Sequence, residues 1–381
     1  MGYDFKIHPY ARFKLHSIMP YIPGEPIEIA AKKLGLDPKM FIKLASNENP
    51  LGPSPLAMEV IKKEIEKLNL YPDDSFYYLK KKLSKLYDVP EDWIIIGNGS
   101  VEIINMLASA FLEPGEGCMF SEHSFIMYKI ATLSAGGYFV SIPEKNYKHD
   151  IEKFIRELSK KERFDIKIIF IDNPSNPLGT YLTKDEVDYF IKEVEKLRGE
   201  SIILVFDQAY QEYIDEKDYP DVLEYVKKMK NIVVLHTFSK IYGLAGLRVG
   251  YAIAHPYIIN ALLRIRLPFN VNRLAQLAAL TALDDKEHIE KSKKVNNEGK
   301  AYLYSEFEKL GIFYLKSLTN FIFVDLKDEK LTKKIHENLL KKGIIVRPLR
   351  AYNLNTALRI SIGTMEQNQR LIGALKEILK K

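Results

Sequence analysis

Cysteine is nearly absent from this 381-residue chain. Cys118 stands alone, so no internal disulfide can form, and the usage fits a reducing compartment. It lies in the apolar run Gly117-Cys118-Met119-Phe120, the setting of a buried bystander rather than a nucleophile. An excess of one charge is lacking too. The 56 basic and 50 acidic residues leave a net charge of +6, too thin a surplus for a nucleic-acid footprint. Lysine runs such as Lys80-Lys81-Lys82 stand beside acids on helical patterns and read as solvated faces. No apolar run reaches membrane-spanning length, and Asp4, Lys6, His8 and Arg12 leave no room for a signal-peptide core. Repeats and low-complexity tracts are missing as well. These absences predict a cytoplasmic protein that binds neither membrane nor nucleic acid.

What is present is a chain 46% apolar and 28% charged, long enough for two domains with a sizeable core. Buried-strand runs (Trp93–Ile96, Ile166–Ile171, Ile202–Phe206, Ile232–Leu235 and Val249–Ala254) alternate with helical patterns between about residues 55 and 254. The alternation predicts an α/β fold: a large domain over 49–268, with a mostly parallel sheet covered by helices on both faces. After Pro268 short strands mix with longer helices, which predicts a smaller α+β domain over 269–381. The proline-punctuated stretch 1–48 reads as an N-terminal arm packing on that smaller domain.

Ligands of parallel sheets bind at the carboxyl ends of strands, so the polar groups there are the ones to collect. Gly97-Asn98-Gly99-Ser100 turns a strand into a helix and presents the N–H groups of Ser100 and Val101 to an anion. Asp207 ends another strand, with Tyr210 three residues on. Asn176 lies in Asn173-Pro174-Ser175-Asn176-Pro177, where the following proline holds it extended. Thr237-Phe238-Ser239-Lys240 ends a fourth strand, and Arg248 follows a glycine-rich turn. Hydroxyls and an arginine suit a phosphate. A lysine among cations and apolar groups can be held neutral and nucleophilic. Lys240 therefore reads as a Schiff-base lysine for a phosphorylated carbonyl cofactor. Taken singly, each residue has a plainer reading: a helix cap for Asp207, a packing tyrosine for Tyr210, a surface loop for Lys240.

Asn-Pro-Ser-Asn-Pro-Leu-Gly, Asp207-Gln208-Ala209-Tyr210, Ser239-Lys240 and Gly246-Leu247-Arg248-Val249-Gly250, in that order and spacing, resemble the fold-type-I aminotransferases that depend on pyridoxal 5'-phosphate. Further stretches narrow the likeness to the histidinol-phosphate aminotransferase family: Leu44 to Pro55, Tyr71-Pro72-Asp73, Asn270 to Gln276, Arg347-Pro348 and Leu358 to Thr364. Together they span nearly the whole chain. The resemblance implies that Lys240 carries the cofactor and shuttles a proton. Asp207 would pair with its ring nitrogen, Tyr210 and Asn176 with its ring oxygen, and Phe125 would stack on the ring. Ser100, Val101, Thr237, Ser239 and Arg248 would hold its phosphate, with Tyr71 reaching in from the second subunit of a homodimer. Arg359 would grip a carboxylate and Arg347 a distal phosphate, while Tyr21 and Asn49 close the pocket.

The implied reaction is ping-pong transamination between histidinol phosphate and 2-oxoglutarate. One pocket must then take two amino donors that share little beyond an amine and a distal anion, a demand that two arginines can meet. Leu178, Val101 and Gln208 depart from the family's usual threonine, aspartate and glutamate, and leave specificity open. Aromatic aminotransferases and threonine-phosphate decarboxylase share the same cofactor residues. A regulator that binds the cofactor without turnover would need a DNA-binding module, and the N-terminal arm has no room for a helix-turn-helix.

Overall fold

The computed structural model describes residues 7–8, 10–21, 23–160, 162 and 165–380. Among the described residues, twelve strands form two sheets. After β1 (Ile42–Leu44) come the seven strands of the larger sheet. They are β2 (Ile94–Gly97), β3 (Gly117–Ser121), β4 (Tyr138–Ile142), β5 (Ile166–Asp172), β6 (Ile203–Asp207), β7 (Ile232–Thr237) and β8 (Gly250–Ala254). Their order in space is β2-β8-β7-β6-β5-β3-β4. Only β8 runs against its neighbours; the β7–β6–β5–β3–β4 ladder is parallel throughout.

The apolar runs explain this sheet. Both faces are covered, so alternate residues of one strand enter different cores. Ile169, Ile171, Leu204, Phe206, Ile232 and Val234 face one layer. Ile168, Phe170, Ile203, Val205, Val233 and Leu235 face the other. A strand buried on both sides has no polar alternation, which is why these segments read as continuous hydrophobic runs.

The smaller sheet holds β9 (Phe313–Tyr314), β10 (Phe321–Asp325), β11 (Ile344–Leu349) and β12 (Leu354–Ser361), with β1 on its edge parallel to β11. Its core gathers Leu44, Leu303, Phe307, Ile335, Leu339 and Leu371 beneath the strands. The arm thus contributes a strand to the smaller unit, although its residues 1–6, Pro9 and Ile22 lie outside the described residues.

One helix departs from the expected division at residue 268. Arg273–Ala282 buries Ala275, Ala278, Ala279 and Ala282 in the core of the larger sheet. Its small side chains let it approach helix Pro55–Glu64 closely, and composition beyond Pro268 could not reveal that packing. The crossing to the smaller unit comes later, in Lys286–Lys309, which delivers Leu303 and Phe307 to the second core. Ahead of helix Tyr77–Tyr87, the Asp73 carboxylate accepts the Tyr77 N–H at 2.8 Å and the Ser75 N–H at 2.9 Å.

Candidate active site

Three consecutive parallel strands end in Asp172, Asp207 and Thr237, and β2 ends beside them in Gly97. This edge, with the loop after β1 above it, encloses a cavity of about 250 Å³. Ser100, Val101, Phe125, Asn176, Asp207, Tyr210, Thr237, Ser239, Lys240 and Arg248 all line it. The sequence singled out every one of these, Phe125 through the family resemblance and the others at four separate strand ends.

An anion cup forms where helix Ser100–Phe111 meets β7 and β8. Gly250 lies in register with both Gly97 and Thr237. A Cβ there would stand 2.6 Å from the Ser100 nitrogen, so only glycine lets the helix start this close to the strand. Thr237 Oγ1 lies 2.9 Å from Ser239 Oγ, which also receives Arg248 Nη1 at 3.3 Å. Two hydroxyls, a guanidinium and a helix N-terminus thus converge, the donor set that a phosphate takes.

Asp207 is buried, and burial raises its carboxyl to about 6. Tyr128 OH (3.0 Å) and the Ala209 N–H (3.2 Å) donate to it and offset part of that cost. Neither carries charge, so a cationic ring nitrogen would complete the site. Lys240, half-buried, is pushed down to about 8, first by burial and then by the charge of Arg359. Glu48 and Asp207 pull the other way. A nucleophilic lysine, a buried carboxylate and an anion cup in one cavity fit pyridoxal phosphate group by group.

Arg359 crosses this wall from β12. It is buried, donates to Asn176 Oδ1 at 2.6 Å and to Ala45 O at 2.9 Å, and keeps a buried, unpartnered Nε. These partners are neutral oxygens, so the charge is oriented but not neutralised. Arg347 sits directly opposite it on β11. Like charges in that position repel, and an anion between them would reverse the sign. Arg347 also lies 5.8 Å from the Tyr21 ring.

Asn49 does not line the cavity. Its Nδ2 donates to Ile241 O at 2.7 Å and Ser292 Oγ at 2.8 Å, and its Oδ1 accepts the Leu51 N–H at 3.0 Å. Its amide is used up tying the loop to helix Lys286–Lys309, which removes it from the pocket-closing role. Tyr71 is 79% exposed and stacks on Phe269 away from this chain's cavity.

Sequence reasoning passed over Tyr128 and gave no role to Asn47, Glu48 or Asp172, although the polar loop after β1 and the end of β5 both stood out. Asn47 Nδ2 donates to Tyr210 OH at 2.8 Å. Asp172 accepts the Asn176 N–H at 2.7 Å and fixes that turn. Tyr128 lies three residues past Phe125, and its ring stacks on Phe170 at 4.6 Å. The spacing to Phe125 was the one available signal for it.

Residues 39–375 match the family model described as aminotransferase class I and II. The chain belongs to that family. It is 44% identical over 372 residues to a histidinol-phosphate aminotransferase from Moorella thermoacetica, covering 97% of this chain and 93% of that one. It is 46% identical over 365 residues to the Caldicellulosiruptor saccharolyticus protein of the same name, covering 96% and 99%. Among solved structures, histidinol-phosphate aminotransferase from Sinorhizobium meliloti in complex with pyridoxal-5'-phosphate superposes with a TM-score of 0.88, at 24% identity over 98% of each chain. L-threonine-O-3-phosphate decarboxylase from Porphyromonas gingivalis also shares the fold, with a TM-score of 0.74 at 21% identity over 89% of this chain and all of that one. The fold therefore does not choose between transamination and decarboxylation. Among the described residues no helix is long and apolar enough to cross a membrane.

Proposed function

We propose that this aminotransferase moves an amino group from histidinol phosphate to 2-oxoglutarate with pyridoxal 5'-phosphate, in histidine biosynthesis in the cytoplasm. The observation that carries the reading is the cross-strand pair Arg347 and Arg359, the second of which is bonded to Asn176 of the cavity wall. Relatives 44% and 46% identical bear the name of that activity.

Pyridoxal phosphate, when bound, supplies an electron sink for the carbon that bears the amino group. The residues do the rest. Lys240 Nζ, neutral in part near neutral pH, would hold the cofactor and then take and return the substrate proton. Asp207 would keep a proton on the ring nitrogen, because a buried carboxylate gains a cation there. Tyr210 and Asn176 would meet the ring oxygen and Phe125 would cover the ring. Ser100, the Val101 N–H, Thr237, Ser239 and Arg248 would take the phosphate.

Histidinol phosphate has no α-carboxylate, only a hydroxymethyl group and a distal phosphate. Arg359 would therefore serve glutamate's α-carboxylate in one half-reaction, and Arg347 the distal anion in either. Tyr21 closes the rim beside Arg347. The exposed apolar cluster of Leu68, Leu70, Tyr71, Leu267 and Phe269 suits burial against a second copy of the chain, with Tyr71 entering the other copy's cavity.

The test is a panel of half-reactions followed by the cofactor's absorbance, with histidinol phosphate, glutamate, phenylalanine and phosphothreonine. Histidinol phosphate should convert fastest, and Arg347→Ala should slow it far more than glutamate. Carbon dioxide release from phosphothreonine, or equal rates with phenylalanine, would refute the assignment.

A further inference from the structure

Asn47 is 1% exposed and sits in left-handed backbone (φ 55°) between the arm and the larger unit. Asparagine tolerates that conformation better than most residues with a side chain. Four hydrogen bonds meet on it. Its N–H donates to Ser361 Oγ at 2.8 Å, and Asn320 Nδ2 donates to its carbonyl at 2.9 Å. Ser361 Oγ lies 3.2 Å from its Oδ1, and its Nδ2 lies 2.8 Å from Tyr210 OH.

Proton bookkeeping around this cluster gives the amide a direction. The Ser361 oxygen already accepts from the Asn47 N–H, so its own hydrogen is free to go to Asn47 Oδ1. With that hydrogen on Oδ1, the amide carbonyl faces Ser361 and the NH2 faces Tyr210. An NH2 can only donate, so the phenol oxygen accepts and the phenol hydrogen is turned elsewhere. Tyr210 lines the cavity, and that is where a second partner would meet it.

We propose that Asn47 is a positioning residue that, locked by Ser361, forces the Tyr210 hydroxyl to donate into the cavity. An unconstrained phenol could equally accept from the pocket and donate to the wall. Ser361 lies two residues from Arg359 on β12, on the same face of the strand. The strand that presents the anion-binding guanidinium therefore also sets the direction of the hydroxyl.

The inference rests on the cofactor reading given above, and its test separates the two. The holoenzyme is titrated with pH and the transition of the cofactor's visible absorbance is read in wild type, Asn47→Gly, Ser361→Ala, Tyr210→Phe and Asn47→Gly/Tyr210→Phe. Glycine keeps the left-handed backbone and deletes only the amide. A donor to the cofactor's ring oxygen draws away charge that would otherwise retain the neighbouring proton. Losing one neutral hydrogen bond should therefore raise the transition by about half to one pH unit. Asn47→Gly and Ser361→Ala should both shift upward, Ser361→Ala less, and Asn47→Gly should add nothing once Tyr210 is phenylalanine. An equal Asn47→Gly shift in both backgrounds, or no shift in either single variant, overturns the proposal. A wild-type protein that acquires no visible band with pyridoxal phosphate overturns the cofactor reading first, and this inference with it.

Discussion

Replacing Asp207 with asparagine should make the cofactor-free protein more stable while destroying its chemistry. The side chain is buried, and its carboxyl is raised from 3.8 to about 6 in the folded chain. A folded-state value above the unfolded one means that the ionised form is disfavoured on folding. Both states are protonated at low pH and no cost is felt. The cost grows as pH rises from 3.8 and is complete above about 6, where it amounts to about 3 kcal/mol. A neutral amide in its place carries no such cost. The stability difference between Asp207→Asn and wild type should therefore change by about 2 kcal/mol between about pH 4.5 and about pH 7.5, favouring the variant at the higher pH. Urea unfolding followed by Trp93, the only tryptophan, reports on the larger unit, since its ring packs against that core. Adding pyridoxal phosphate should reverse the order, because a cationic ring nitrogen stabilises the carboxylate and leaves a neutral amide with nothing to pair. A difference that stays flat with pH, in cofactor-free protein, would refute the claim that Asp207 is a strained acid awaiting a cation.

Two further outcomes follow from the same geometry. In cofactor-free protein the Lys240 amine should react with carbonyl reagents with a pH midpoint near 8. At about pH 7.5 roughly a quarter of it is neutral, some two hundred times the fraction of an ordinary lysine; mass-spectrometric labelling that instead rises only above about pH 10 would contradict this. Asn49→Ala should lower stability by about 1–3 kcal/mol through its lost ties to Ile241 and Ser292, with KM for the amino donors unchanged. A raised KM at an unchanged melting temperature would return Asn49 to the pocket.

The larger sheet was legible because both its faces are covered, so Ile166–Ile171 and Ile232–Leu235 carry their burial in composition alone. The strand-end residues followed from the general rule that parallel sheets bind at one edge. What the sequence could not separate was Asn47 from Asn49. Both are amides in one polar loop, and only the distant Ser361, Ile241 and Ser292 decide which turns to Tyr210 and which to the helix. The reversed direction of β8 was equally hidden, since an apolar run has no polarity. Composition also missed that helix Arg273–Ala282 joins the larger core, because its alanines mark a close approach without naming the partner. Arg347 and Arg359 were found by resemblance, but their face-to-face pairing belongs to the hairpin register.

The edge strand β1 has one more implication. Ile42 pairs with Ile344, so the smaller unit is stitched from stretches that flank the whole larger sheet in sequence. During synthesis on the ribosome the arm must wait, its strand unpaired, until β11 has emerged. Ser46 and Glu48, which follow β1 and line the cavity, wait with it. The nascent protein therefore completes its larger sheet well before its catalytic pocket exists. Circular permutation that joins the arm directly to β11 should shorten that delay, and truncation at either terminus should leave a cofactor platform without a substrate wall.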